Sequence, residues 1–205
     1  MHEEILLPTA KRLLPKLGGI LKNGDWYMAG GTALALQCGH RQSLDFDWFS
    51  AHKFSSNLLK RQLSKIGKIT VVSEDIGTLH IRLAGIRLSF LFYPYKLLRR
   101  LVSYQGVNLA APADIGCMKL QAISSRGSRK DFFDLYVLLR VYSLKQLLDW
   151  FDKKYKGVKY NHLHLLKSLV YFVEAEREPN PILLERINWS EVKTELLKQM
   201  RSYLK

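Results

Sequence analysis

Apolar residues recur at helical spacing through residues 3 to 22, at Ile5, Leu6, Leu13, Leu14, Leu17 and Ile20. Pro8 and Pro15 interrupt them, which predicts one or two short helices. Asn23-Gly24-Asp25 predicts a turn, and WYMAG a short strand ending at Gly30-Gly31. Thr32 to Cys38 (TALALQC) is rich in strong helix formers and is followed by Gly39 as a stop. The segment therefore reads strand, glycine turn, helix. LDFDWFS (44 to 50) alternates as a second strand, and NLLKRQLSKIG (57 to 67) is an amphipathic helix. KITVVSED, TLHIRLAG and IRLSFLFYPY are three β-rich runs, the last two separated only by Ala84-Gly85, so a meander or hairpin is expected. After Pro94 the pattern turns helical, with helices predicted over 112 to 125, 130 to 142, 144 to 154, 161 to 175 and 189 to 204.

This change of period places a boundary near residue 110, between an α/β core (1 to 110) and an all-helical region (111 to 205) expected to pack on it. A 47% hydrophobic and 24% charged composition describes a folded chain. Thirty-two Lys and Arg against 18 Asp and Glu leave a formal charge of +14. Such an excess suits a polyanionic partner, although a solvated basic surface has the same composition. No apolar run approaches the roughly 18 residues of a membrane span, and Glu3, Glu4, Lys11 and Arg12 break up the amino terminus, so neither a membrane segment nor a secretory signal is expected. Cys38 and Cys117 lie in separate apolar segments, giving no disulfide framework and pointing to a reducing cytoplasm.

The stretch AGGTALALQCGHRQSLDFDWFS, residues 29 to 50, carries the candidate chemistry. Gly30 and Gly31 let the backbone approach a ligand, and the helix that follows opens with free amides and the Thr32 hydroxyl, a cradle for phosphate. Asp45 and Asp47 are two apart in a strand and share a face, while Leu44, Phe46 and Trp48 take the other. Carboxylates paired in this way repel one another unless a cation intervenes. A pair of Mg2+ about 3.5 to 4 Å apart would satisfy them and polarise a phosphoryl group. An exposed strand face and an ordinary tight turn are the plainer readings of the same residues, but the combination is far rarer than its parts.

On these residues the chain resembles the AbiEii-type nucleotidyltransferases, toxin components of type IV toxin-antitoxin systems within the DNA polymerase β-like fold. The resemblance runs over roughly 25 to 142. The Gly-Gly-Ser/Thr turn and DxD of that family are similar to Gly30, Gly31, Thr32, Asp45 and Asp47; its Dx4K resembles Asp114 to Lys119 (DIGCMK). Its basic segment leading into KDxxDL resembles Arg126, Arg129, Lys130, Asp131 and Asp134 in RGSRKDFFDLYVLL. The resemblance implies an α/β (α+β) nucleotidyltransferase core with a mixed sheet and a helical carboxy-terminal half. It also implies transfer of a nucleoside monophosphate from an NTP to an acceptor hydroxyl, with tRNA as an acceptor suited to the basic surface, and a cognate antitoxin. A catalytic acid is implied at Asp131 or Asp134, with the choice between them open.

The residues carry separate weight. Lys119 sits between Met118 and Leu120 in an apolar stretch, where it either snorkels outward or reaches into the cleft as a cation for the triphosphate. Asp114 and Asp131, each near a helix start, also suit the helix dipole. Arg41, in the loop before DxD, is a candidate nucleotide contact. His162 and His164 point apart on a helix, which disfavours zinc. Lysines 153, 154, 156 and 159 form a run that reads as a solvated face or a polyanion path, and Tyr93 and Tyr95 as packing or as base-stacking rings. Where polymerase β-like transferases place a third carboxylate, this chain has Ser89. Asp131 or Asp134 is the expected substitute; failing that, the chain is a decayed member of the fold that binds nucleotide or nucleic acid through a partner.

Overall fold

The computed structural model describes residues 1 to 22 and 24 to 205, so the turn expected at 23 to 25 lies partly outside the described residues. The amino-terminal segment forms a 3-10 turn, Glu3–Ile5, and one helix, α1 (Pro8–Leu21). Pro8 sits in the first turn, where its missing N–H is no loss, and Pro15 stays inside the helix on its exposed face. Of the one or two helices expected here, one forms.

Next come β1 (Tyr27–Ala29), α2 (Gly30–Cys38), β2 (Phe46–Ser50) and α3 (Ser56–Leu63). Helix α2 begins at Gly30, two residues before the sequence pattern placed it, and ends on Gly39 in a left-handed conformation (φ 73°). Strand β2 begins after Asp45. Then follow β3 (Ile69–Asp75), β4 (Thr78–Leu83) and β5 (Ile86–Phe92), a meander turned at Ala84-Gly85 as expected. Between Pro94 and the first helix expected at 112, where the sequence pattern gave no element, β6 (Val102–Tyr104) and β7 (Val107–Leu109) form a further hairpin within the α/β core. Three-residue strands are too short to show a period, and β7 is held by pairing with the distant β1.

The remaining elements are α4 (Pro112–Ser125), α5 (Arg129–Leu139), α6 (Leu144–Lys154), α7 (His162–Ser168), α8 (Val173–Glu176) and α9 (Trp189–Tyr203). The helix expected over 161 to 175 is thus two. Capping boxes start α6 at Ser143 and α9 at Asn188.

The seven strands form one mixed sheet, ordered β3-β4-β5-β2-β1-β7-β6, with β2/β5 and β1/β7 parallel and the other pairs antiparallel. Phe46, Trp48, Leu88 and Phe90 pack with Leu14 and Leu17 of α1 in one hydrophobic cluster. Phe132, Phe133, Leu147 and Leu196 centre a second cluster among the helices. Each such side chain, fully buried, contributes about 1.5 to 3 kcal/mol. Helix α4 packs against α2, α5, α6 and α7, and so joins the helices to α2, which itself contacts β1 and β2.

Candidate active site

Alternation along three neighbouring strands builds the floor of a cleft. In β2, Phe46 and Trp48 are buried in the core, which turns Asp47 the other way. Asp47 lies opposite Ser89 of β5, which lies opposite His80 of β4. The three side chains form a row, with His80 Nδ1 3.1 Å from Ser89 Oγ. Together with Gly30, Asp45, Arg87, Lys119, Arg126 and Lys130 they line a cleft of about 390 Å3 roofed by α4.

Gly30 has φ 71°, and a Cβ there would lie 2.7 Å from Asp47 Oδ2, so both the turn and the carboxylate require glycine. Burial pushes the Asp47 carboxyl above the usual carboxylate range; the Ser89 hydrogen bond and the Lys119 charge oppose this less strongly, and Asp45 adds to it. A carboxyl so placed favours a proton or a cation. The other turn residues face inward. A Cβ on Gly31 would collide with Arg41 Nη2, and the buried Thr32 hydroxyl bonds the Ser43 hydroxyl and the Asp45 carbonyl. Of the predicted phosphate turn, Gly30 alone lines the cleft.

Behind the cleft wall lies an ion network. Arg41 is buried, donating from Nε (2.7 Å) and Nη2 (2.9 Å) to the two oxygens of Asp134. His40 Nε2 is 2.7 Å from the same carboxylate. Lys119 Nζ contacts Asp131 at 2.8 Å and Asp134 at 2.5 Å, and Arg126 bonds Asp131 from its exposed side. Burial alone would lower the Lys119 ammonium and raise both carboxyls. Asp134 and Asp131 hold Lys119 above its usual value, while Arg41 and Lys119 hold Asp134 well below its own, and Lys119 and Arg126 lower Asp131. Three fixed cations against two carboxylates leave one positive charge in excess beside the cleft. Two of the three N–H donors of Lys119 are engaged, leaving one for a ligand.

Asp45, Asp47, Lys119 and Gly30 are thus brought together, whereas Arg41, Asp131 and Asp134 stand behind them and do not line the cleft. Neither acid occupies the place of the third carboxylate. In the basic motif Lys130 faces the cleft, but Arg129 turns away, donating to the Ala175 carbonyl at 2.7 Å and lying over the Trp189 ring. Asp114 is buried under the loop after β5, accepting from the Leu98 and Arg99 amides and from Lys154. Lys154 therefore leaves the solvated lysine run: it is 3% exposed. Sequence reasoning missed His80 and Arg87. Their signal is period two: His80 alternates with buried Leu79 and Ile81, and Arg87 is two residues from Ser89.

The sequence profile of the family described as nucleotidyl transferase AbiEii toxin, type IV TA system, matches residues 12–202. An uncharacterised protein of Aquifex aeolicus is 38% identical over 188 residues, covering 88% of each chain. Among solved structures, a protein from H. pylori assigned as a nucleotidyltransferase superposes with a TM-score of 0.59 at 19% identity, over 94% of this chain and 92% of that one. The nucleotidyltransferase toxin MenT4 of Mycobacterium tuberculosis gives 0.53 at 15% identity, over 94% and 82%. The cleft motifs and the profile match over most of the sequence agree: the chain belongs to the AbiEii nucleotidyltransferase toxin family.

Proposed function

We propose that this protein transfers a nucleoside monophosphate from an NTP to an acceptor hydroxyl, releasing pyrophosphate, and that it acts as the toxin of a pair with a cognate antitoxin. The observation that carries this reading is a cleft lined by Asp45 and Asp47 together with Arg87, Lys119, Arg126 and Lys130. The cations bind the polyphosphate, and the carboxylates hold the metal that accompanies it.

The donor set fits Mg2+. Two carboxylates, one of them raised by burial, suit a hard cation that completes its shell with water and substrate phosphate. Asp45 and Asp47 would hold it, and when bound it neutralises and polarises the reacting phosphoryl group. Ser89 orients Asp47 through its hydroxyl, Lys119 offers its remaining N–H, and the network behind keeps that ammonium charged and aimed. The +14 charge supports an RNA acceptor such as tRNA. No helix among the described residues is long and apolar enough to cross a membrane, in keeping with a cytoplasmic site of action.

One observation favours a binding-only member instead: Ser89 stands beside Asp47 where a third acid would serve, and Asp131 and Asp134 are committed to ion pairs. Incubation with Mg2+, each labelled NTP in turn and total tRNA separates the two. Label on RNA that is lost in Asp45→Asn and Asp47→Asn supports transfer, and nucleotide binding with no label transferred supports the alternative.

A further inference from the structure

Beside the cleft, α4 carries the exposed Gln121 and Ser125, which also border a second cavity of about 230 Å3 between α4, α6 and α7. Its walls are aromatic. Tyr95 and Tyr155 meet edge to face at 4.9 Å, and Phe151 and Tyr160 at 4.7 Å. The row continues back into the cleft, since Tyr93 lines the cleft and contacts Tyr95 at 4.7 Å. The Tyr155 hydroxyl bonds that of Tyr93 and donates to Gln121 Oε1 at 3.0 Å. This leaves the Gln121 amide N–H groups with no protein acceptor among the described residues, at the rim shared by the two cavities. Outward from Tyr155 and Tyr160 the surface runs onto the exposed Lys156 and Lys159. Neither pairs with a carboxylate among the described residues; Asp152 nearby is 3.4 Å from His162.

Carboxylates, aromatic pocket and unpaired lysines therefore follow one another along a single track. Rings that accept any base by its face, alternating with cations for the backbone, are the means by which single strands are held without sequence reading. A duplex would not serve, because its stacked bases cannot enter a side pocket.

We propose that this track binds the single-stranded end of a nucleic-acid acceptor, with a base in the tyrosine pocket and backbone phosphates on Lys156 and Lys159. The placement of the terminal hydroxyl at Asp45 and Asp47 rests on the transferase reading given above. Binding itself does not, and is measured without NTP.

The test is fluorescence anisotropy of a short labelled single-stranded RNA titrated with the full chain across about 50 to 200 mM salt. Tyr160→Ala should weaken binding roughly five- to a hundredfold, and Tyr160→Phe, which keeps the ring, should restore it. Lys156→Gln with Lys159→Gln should lower the slope of log affinity against log salt by about 1.4, two phosphates at about 0.7 each for single strands. Because both lysines are exposed, this double variant reads the proposal even if Tyr160→Ala disturbs folding. Wild-type affinity and salt slope in the lysine and tyrosine variants would overturn it, as would displacement of the RNA by polyglutamate at equal charge concentration, the mark of a surface for acidic protein. A rise in KM for NTP with RNA affinity unchanged in Tyr160→Ala would give the pocket to the incoming nucleotide and overturn it too. RNA binding that behaves as expected, with no transfer from any NTP, counts against the transferase reading alone.

Discussion

Replacing Asp114 by Asn tests whether the first residue of DIGCMK belongs to the fold or to the chemistry. Its carboxylate is 2.7 Å from Lys154 Nζ, with both side chains fully buried. At an effective dielectric constant near 20, a pair at that distance is worth about 6 kcal/mol of Coulomb energy, and desolvation offsets part of it. Breaking one side of a buried pair costs about 3 to 5 kcal/mol, because the other charge is left uncompensated. In Asp114→Asn the ammonium loses its counter-charge and keeps neutral partners, the amide oxygen, the Lys96 carbonyl at 3.1 Å and the Tyr93 ring at 5.7 Å. In Lys154→Met, by contrast, the carboxylate keeps the Leu98 and Arg99 amides, at 2.9 and 3.0 Å. The aspartate variant should therefore be the more damaged of the two. At roughly 2 to 4 °C per kcal/mol for a chain of this size, its Tm should fall by about 6 to 20 °C. Asp149→Asn, which removes an exposed i,i+4 pair with Lys145, is the control and should cost about 0.5 kcal/mol or less. Calorimetry gives the Tm, and transfer is measured per folded molecule at a temperature below every transition. A fall in Tm of under about 3 °C would refute the structural assignment. So would a Tm held at wild type with transfer abolished, which would return Asp114 to the active site.

Asp45→Asn and Asp47→Asn should each abolish Mg2+-dependent transfer with the fold intact. Since burial raises the Asp47 carboxyl above its unfolded value, the folded state binds the extra proton, and metal-free wild type loses stability as pH climbs from about 4 through the folded pKa. Melts in EDTA should then show Asp47→Asn more stable than wild type near pH 8 and equal to it near pH 4; the reverse order would contradict the burial argument. Lys119→Ala should lower both NTP use and Tm, because Asp131 and Asp134 lose a shared partner; transfer per folded molecule at the wild-type rate would make Lys119 purely structural. Asp134→Asn works in the opposite pH sense to Asp47→Asn: its folded pKa is depressed, so its stabilisation is complete above about pH 4 and disappears only as pH drops through the folded value. The loss in Tm should accordingly be flat from pH 5 to 8, and a loss that varies across that range would contradict the depressed Asp134 carboxyl. Ser89→Asp should add the third acid, raising Mg2+-dependent transfer while lowering metal-free stability through repulsion with Asp47; a variant with neither change would show that position 89 does not address the metal.

What the amino-acid sequence by itself determined was local. Glycine at 30, acids at 45 and 47 and the meander of β3 to β5 are written in neighbouring residues, because turn geometry and the two-residue strand period are properties of a few adjacent positions. The two sides of β2 were legible for the same reason; Ser89 was picked out through the family resemblance, and His80 and Arg87 on β4 and β5 were missed. The basic motif was legible as a group, although period alone did not show that Lys130 turns to the cleft and Arg129 away from it. What only the tertiary structure decided was which charges meet. Arg41 and Asp134 are 93 residues apart, and Lys154 and Asp114 are 40 apart. Nothing near either member announces its partner. The β6-β7 hairpin escaped notice likewise, since β7 owes its place beside β1 to hydrogen bonds across the sheet. A buried charge is tolerated only where an opposite charge arrives from elsewhere in the chain, so the roles of Arg41, Asp131, Asp134 and Lys154 become visible once the sheet order and the seat of α4 bring those partners into contact.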